Sequence, residues 1–119
     1  MPSNSPYLFT ASMDVRPDKE GLFNDVYDTE HVPALLEIPG MISVARYKTR
    51  ELTMIMAGER HTIVTEGEPR YTAQYGIESP DVLVSDGWAA AVEQGRWPAQ
   101  VRPFTSNRRH VLYERLSGL

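Results

Sequence analysis

The stretch from Val26 to Gly40, VYDTEHVPALLEIPG, combines a helical pattern with two prolines, and it decides how the rest of the chain is interpreted. The apolar face of the predicted helix 18–38 is formed by residues at spacings of four, four, three and four, namely Phe23, Tyr27, His31, Ala34 and Ile38. Pro33 cannot donate a hydrogen bond to the carbonyl of Thr29, so we expect the helix to kink or restart there. Pro39-Gly40 then ends it.

Strand patterns lie on both sides of this helix. They predict strands at 7–15, 41–47, 70–78 and 107–116, a hairpin at 52–57 and 61–65, a second helix at 87–94 capped by Ser85 or Asp86, and a loop at 97–104. The order β-α-β-hairpin-β-α-β predicts an α+β, ferredoxin-like fold, with a four-stranded antiparallel sheet and both helices on one face. We expect one domain at 7–116, a frayed tail at 1–6 and a hairpin or extended insertion at 51–69.

The predicted strands carry apolar residues on both faces. In the first strand Phe9, Ala11 and Met13 alternate with Leu8, and a similar pattern occurs at 41–45. Helices on one face would leave the other apolar face in water. We therefore expect a homodimer in which two sheets pack against each other.

Composition excludes several classes of protein. The 119 residues contain no cysteine, so thiolate catalysis, disulfides and Cys-ligated metals are excluded. The net charge of -4 argues against nucleic acid as a partner, and no apolar run suggests a membrane span. The N-terminal residues lack the layout of a signal peptide, so we expect a cytoplasmic protein.

His31 is the strongest catalytic candidate among three histidines. It lies on the apolar helix face, beside the helix break and four residues after Tyr27. A buried imidazole there could act as a general acid or base, with Tyr27 as hydrogen-bond donor. The alternative is a core histidine satisfied by a neighbouring carbonyl or carboxylate. We expect His61 in an exposed turn and His110 on a strand or dimer surface; no metal site or cofactor is expected.

Other residues are candidates for binding a planar, apolar ligand. The substrate-binding candidates are Glu30, Arg46, Tyr75, Trp88 and Trp97. The aromatic residues could instead be ordinary core. Glu30 could orient a ligand, pair with Arg46 or be solvated, and Arg46 and Arg102 could neutralise an acidic ligand or form surface ion pairs.

The helix motif also carries a resemblance. Tyr27 to Pro33, followed by Pro39-Gly40, resembles the W/Y-x-x-x-H-[VIL]-P signature and PG of small dimeric α+β barrel proteins. These include EthD-like proteins, antibiotic-biosynthesis monooxygenases and polyketide cyclases. Strand 70–80, with Trp88 following, matches the same pattern, and the resemblance covers 7–116. It implies a dimeric barrel with a pocket lined by His31, and it leaves the reaction open among oxidation, cyclisation, isomerisation, dechlorination and haem chemistry.

Together these observations predict a small cofactor-independent enzyme. We expect it to act on an aromatic or polyketide-like molecule by His31-mediated proton transfer, as a cyclase, lyase, isomerase or monooxygenase. A non-catalytic dimer that binds a small molecule or assists another enzyme is the first alternative, and haem binding through His31 is the second.

Overall fold

The computed structural model describes residues 5–118. Its main elements, in chain order, are β1 Tyr7–Val15, α1 Glu20–Val26, a π-helical turn Tyr27–His31, α2 Val32–Leu36, β2 Met41–Lys48, β3 Leu52–Met56, β4 Glu59–Ile63, β5 Tyr71–Ile77, α3 Asp86–Ala91, a second π-helical turn Trp97–Val101 and β6 Thr105–Glu114. Short 3-10 turns at Pro17–Lys19, Pro80–Val84 and Arg102–Phe104 join them. Of the predicted tail, residues 1–4 lie outside the described residues. Ser5 is buried, and the Pro6 carbonyl accepts a hydrogen bond from the Arg115 N–H at 2.8 Å.

The sheet has the order β2-β5-β1-β6, and each neighbouring pair is antiparallel. With α1, α2 and α3 in the two crossovers, this is the ferredoxin-like arrangement, so the predicted fold class is confirmed. β3 and β4 form a separate two-stranded sheet. They make the predicted hairpin.

One face of the sheet packs against the helices. Alternate residues of the two central strands are buried there: Phe9, Ala11, Met13 and Val15 of β1, and Tyr71, Ala73, Tyr75 and Ile77 of β5. From the helical side, Phe23, Val26 and Leu35 complete the core. The candidate site lies against this layer of side chains.

The predicted helix break takes the form of a widened turn just before Pro33. The N–H of Val32 donates to the carbonyl of Tyr27, five residues back instead of four. Pro33 has no N–H, so the next hydrogen bond of a regular helix cannot form. Such π-helical turns recur at functional sites, and this one carries Tyr27 and His31.

The second half of the chain follows the predicted order with shifted boundaries. Ser85 caps α3, its Oγ accepting a hydrogen bond from the Trp88 N–H at 3.2 Å, but the helix spans Asp86–Ala91 instead of 87–94. The segment expected to be a loop contains the π-helical turn Trp97–Val101 and the 3-10 turn after it. β6 begins two residues earlier than predicted and ends at Glu114.

The other face of the sheet carries no helix within the described part of the chain. Cross-strand register places Leu8 beside Tyr113 and Thr10 beside Val111 on this face. Tyr113 is 51% exposed and Val111 is 39% exposed. The sheet-on-sheet dimer stays a prediction for these residues. Within residues 5–118, no helix is long and apolar enough to span a membrane.

Candidate functional site

A cavity of about 90 Å³ lies between the helices and the sheet. Five sequence-predicted site residues line it: Tyr27, His31, Tyr75, Trp88 and Trp97. The rest of its lining consists of Phe9, Ala11, Met13, Val92, Arg102, Arg108 and His110. Most of these side chains are buried, whereas Arg108 and His110 are exposed and therefore mark the opening to solvent.

His31 forms part of the cavity wall and is 6% exposed. Its Nδ1 atom is buried and has no hydrogen-bond partner among residues 5–118. The imidazole stacks on Trp97, with ring centroids 4.4 Å apart, and meets Tyr27 edge to face at 4.9 Å. A buried polar atom without a partner carries a cost of about 1–3 kcal/mol, so Nδ1 is a polar group that the described part of the chain leaves unsatisfied.

Burial also controls the protonation of His31. Desolvation and, to a smaller extent, the positive charge of Arg102 lower the pKa of the imidazole to about 4. The imidazole is therefore neutral near pH 7, and it is a weaker base than an unperturbed histidine.

Two tyrosine hydroxyls meet in the same cavity. Tyr27 on the π-helical turn and Tyr75 on β5 share a hydrogen bond between their hydroxyl groups. Burial raises the pKa of both phenols, so both remain protonated at neutral pH. One hydroxyl donates to the other, and the second proton has no further acceptor among the described side chains. That proton is available to an oxygen atom of a ligand.

Arg46 lies behind Tyr27, outside the cavity. Its guanidinium stacks over the Tyr27 ring at 4.5 Å and donates to Asp28 Oδ1 at 2.8 Å and Asn24 Oδ1 at 2.7 Å. These contacts fasten β2 to the helical segment that carries Tyr27. The substrate contact expected of Arg46 from sequence stays a prediction.

Glu30 lies outside the cavity as well, and its partner is Arg96. Glu30 Oε1 accepts a hydrogen bond from the Arg96 N–H at 3.0 Å, and the other oxygen accepts from the Arg96 guanidinium. These hydrogen bonds, the backbone one first, lower the pKa of the Glu30 carboxyl. Arg96 directly precedes Trp97, so this contact holds the Trp97 turn against the helix that carries His31. The alternative pairing of Glu30 with Arg46 is wrong, because Asp28 takes that place.

Two titratable cavity residues, Arg108 and His110, were not among the predicted site residues. His110 lies on a strand, as expected, where it pairs with Ala11 on the helix side of the sheet and stacks on Phe9 at 5.9 Å. Arg108 lies two residues earlier on the same face of β6, and Arg102 follows the Trp97 turn. Side chains alternate between the two faces of β6, but the sequence does not show which set faces the cavity until the register of β6 against β1 is known. His61, in contrast, is exposed as expected, although it lies on β4 and not in a turn.

The described residues contain no group of three or more His, Asp or Glu side chains that could hold a metal ion. The pairing of Glu30 with Arg96 turns that carboxylate away from His31. The site therefore offers a neutral base, a hydroxyl donor and aromatic walls.

Comparison with known proteins finds solved structures with a similar fold. No protein-family model and no curated protein matches the sequence. Among solved structures, a variant of SnoaB, a cofactor-independent oxygenase from Streptomyces nogalater, is 14% identical with a TM-score of 0.60, over 95% of each chain. MhuD from Mycobacterium tuberculosis, a haem degrader with two haems bound, is 15% identical with a TM-score of 0.60, over 96% of this chain and 99% of that one.

An EthD-family protein from Bacillus halodurans is 11% identical with a TM-score of 0.57, over 92% of this chain and 99% of that one. At such identities the likeness concerns the fold. The chain thus shares its fold with solved structures that include an EthD-family protein and SnoaB.

Proposed function

We propose that this protein is an enzyme that needs no cofactor of its own and moves a proton between a small planar molecule and the His31 imidazole. The observation that carries the proposal is made at His31: its buried Nδ1 has no partner among residues 5–118, and its side chain lines a cavity that Tyr27 and Tyr75 also line. A histidine with a purely structural role is expected to have its nitrogens satisfied by the protein.

The chemistry follows from the protonation states. A neutral His31 accepts a proton from an acidic C–H or O–H group of the substrate. The electron pair left behind gathers on a substrate oxygen, and the unassigned proton of the Tyr27–Tyr75 pair donates a hydrogen bond to that oxygen. Return of the proton from the imidazolium to the same or another atom restores the enzyme, so the cycle balances without an external redox partner.

The size of the cavity favours a substrate with one ring. A dry cavity of about 150 Å³ holds one benzene molecule. The cavity of about 90 Å³ beside His31 is smaller, so part of a ligand must project through the opening near His110. Of the two substrate classes expected from sequence, a single-ring aromatic molecule suits these dimensions, and a polyketide does not.

Haem does not fit the residues as they are arranged. Cofactor pockets usually enclose about 300–1,000 Å³, and Trp97 covers one face of the His31 ring at 4.4 Å. We therefore derive no step through haem. The likeness to SnoaB, named as a cofactor-independent oxygenase, supports the proposal to the extent that this fold accommodates chemistry without a cofactor.

Solvent exchange tests proton transfer directly. Phenylacetone and phenylpyruvate each carry an enolisable methylene beside one ring, and proton NMR in D2O follows the loss of their methylene signals. We expect the protein to accelerate exchange of at least one of them above the protein-free rate. The His31→Gln substitution should reduce the protein-dependent rate about 100-fold or more, since it removes the base.

Two further variants make the result specific. His61→Gln, on the exposed β4, should leave the exchange rate unchanged. Tyr27→Phe should lower the exchange rate while circular dichroism reports a folded chain. Full exchange activity in a folded His31→Gln variant would contradict the mechanism. Saturable ligand binding without any accelerated exchange would favour the non-catalytic, small-molecule-binding alternative.

A further inference from the structure

The cavity is positively charged in a chain that is negative overall. Its lining contains two arginines, Arg102 and Arg108, and none of the described Asp or Glu residues contributes to it. The chain as a whole has a formal net charge of -4. A concentration of one sign of charge in a cleft raises the local concentration of ligands of the opposite sign.

Arg108 is the source of this unbalanced charge. Its guanidinium has no ion pair and no hydrogen bond within residues 5–118, although five of the other arginines pair with carboxylates: Arg16, Arg46, Arg96, Arg102 and Arg109. Arg108 lies at the exposed end of the cavity beside His110. Its charge contributes to lowering the pKa of His110 after burial, so Arg108 is the cation that remains there at neutral pH.

Arg102 is fixed differently from Arg108. It donates to Glu93 Oε2 at 3.1 Å and to the Val92 carbonyl at 2.6 Å. The guanidinium donors of Arg102 are therefore largely used by acceptors of the protein. All the N–H donors of the Arg108 guanidinium are available to a ligand. A guanidinium can bind a carboxylate through two parallel hydrogen bonds.

We infer that the ligand of this cavity is a single-ring aromatic carboxylate whose acid group pairs with Arg108 at the opening. The ring then lies among Phe9, Trp88 and His110. Phe9 meets Trp88 edge to face and stacks on His110, each with ring centroids 5.9 Å apart. This orientation sends the charged group toward solvent and the remainder toward His31. The inference deepens the proposed function by naming the substrate class, and it concerns binding alone.

Both tryptophans of the chain line the cavity, so intrinsic fluorescence reports on its occupancy. Benzoate and benzamide are suitable probes, because they share one ring and differ in charge. We expect benzoate to change the fluorescence with saturation and to bind at least about tenfold more tightly than benzamide. Arg108→Gln should raise the Kd of benzoate about tenfold and leave that of benzamide unchanged.

The neighbouring arginine supplies the matched control. Arg109 lies on the opposite face of β6 and pairs with Glu68 at 3.4 Å, so Arg109→Gln should leave the Kd of benzoate unchanged. Equal Kd values for benzoate and benzamide, or an equal effect of the two arginine substitutions, would overturn the inference. Benzoate binding that depends on Arg108 without proton exchange on either ketone would refute the proposed function and leave this inference standing. Exchange on phenylacetone without Arg108-dependent benzoate binding would refute this inference and leave the proposed function standing.

Discussion

His31 couples the stability of the protein to pH. Its pKa is about 4 in the folded chain, chiefly because burial disfavours the imidazolium, against 6.5 for an unperturbed histidine. Between these two values the unfolded chain binds a proton that the folded chain does not bind. Stability is therefore fully present above about pH 6.5, is lost as the pH falls through this window, and loses nothing further from His31 below about pH 4.

The first prediction concerns this loss of stability. Lowering the pH from 7 to 4 should reduce the free energy of unfolding by about 3 kcal/mol through His31 alone. Urea unfolding across this range measures the effect in the parent protein and in His31→Gln, which cannot titrate. The difference between the two curves isolates His31 from the carboxylates and from His110. Parallel curves would mean that the imidazole is accessible to protons in the folded state.

Packing between distant elements determines where the other candidate residues lie. The pattern of 18–38 is sufficient to predict that Tyr27 and His31 share a face, because four residues make about one helical turn. Alternation along 70–78 likewise predicts that Tyr75 points to the core. No local pattern reveals that Glu30 accepts from Arg96, since that hydrogen bond joins residues 66 positions apart.

The face of an edge strand is similarly hidden in the sequence. His110 and Arg108 face the cavity because β6 pairs with β1 in the register that places His110 opposite Ala11. A slip of one residue would exchange Arg108 for Arg109. The π-helical turn is equally hard to foresee, since Pro33 predicts a break and leaves its form open.

Gly95 makes the contact between Glu30 and the Trp97 turn possible. It has a positive φ of 64°, and a Cβ atom at this position would clash with Glu30 Oε1. We expect Gly95→Ala to lower the free energy of unfolding by about 1–3 kcal/mol, because the backbone is strained and the Glu30 carboxylate is displaced. Urea denaturation measures the change, and the fluorescence of Trp97 should report a loosened turn.

Gly21 provides the matched control for this substitution. It lies in α1 without a positive φ, and a Cβ atom at this position would meet no other atom within 4 Å among the described residues. Gly21→Ala should therefore stabilise the chain by about 0.4–1 kcal/mol. Destabilisation of similar size at both positions would contradict the role assigned to Gly95.

The uncovered face of the sheet predicts the assembly of the protein. The hairpin exposes further apolar side chains, namely Leu52, Met54, Ile55 and Met56. Two copies packed sheet on sheet would remove the uncovered face of the four-stranded sheet from water, whereas a monomer would keep an apolar patch that is uncommon in stable single chains. The cavity opens on the helix side of the sheet, so such a dimer would leave its lining in place.

Light scattering during size-exclusion chromatography should therefore give about twice the chain mass of 13.5 kDa at micromolar concentration. Tyr113→Arg places a charge on the uncovered face and should shift the protein toward monomer, because an unpaired cation buried between two sheets is costly. Val84→Arg, at a position that is 84% exposed in the turn before α3, should leave the mass unchanged. A parent chain that stays monomeric, or equal dissociation by both variants, would show that this face stays in water and that the apolar strand pattern has another cause.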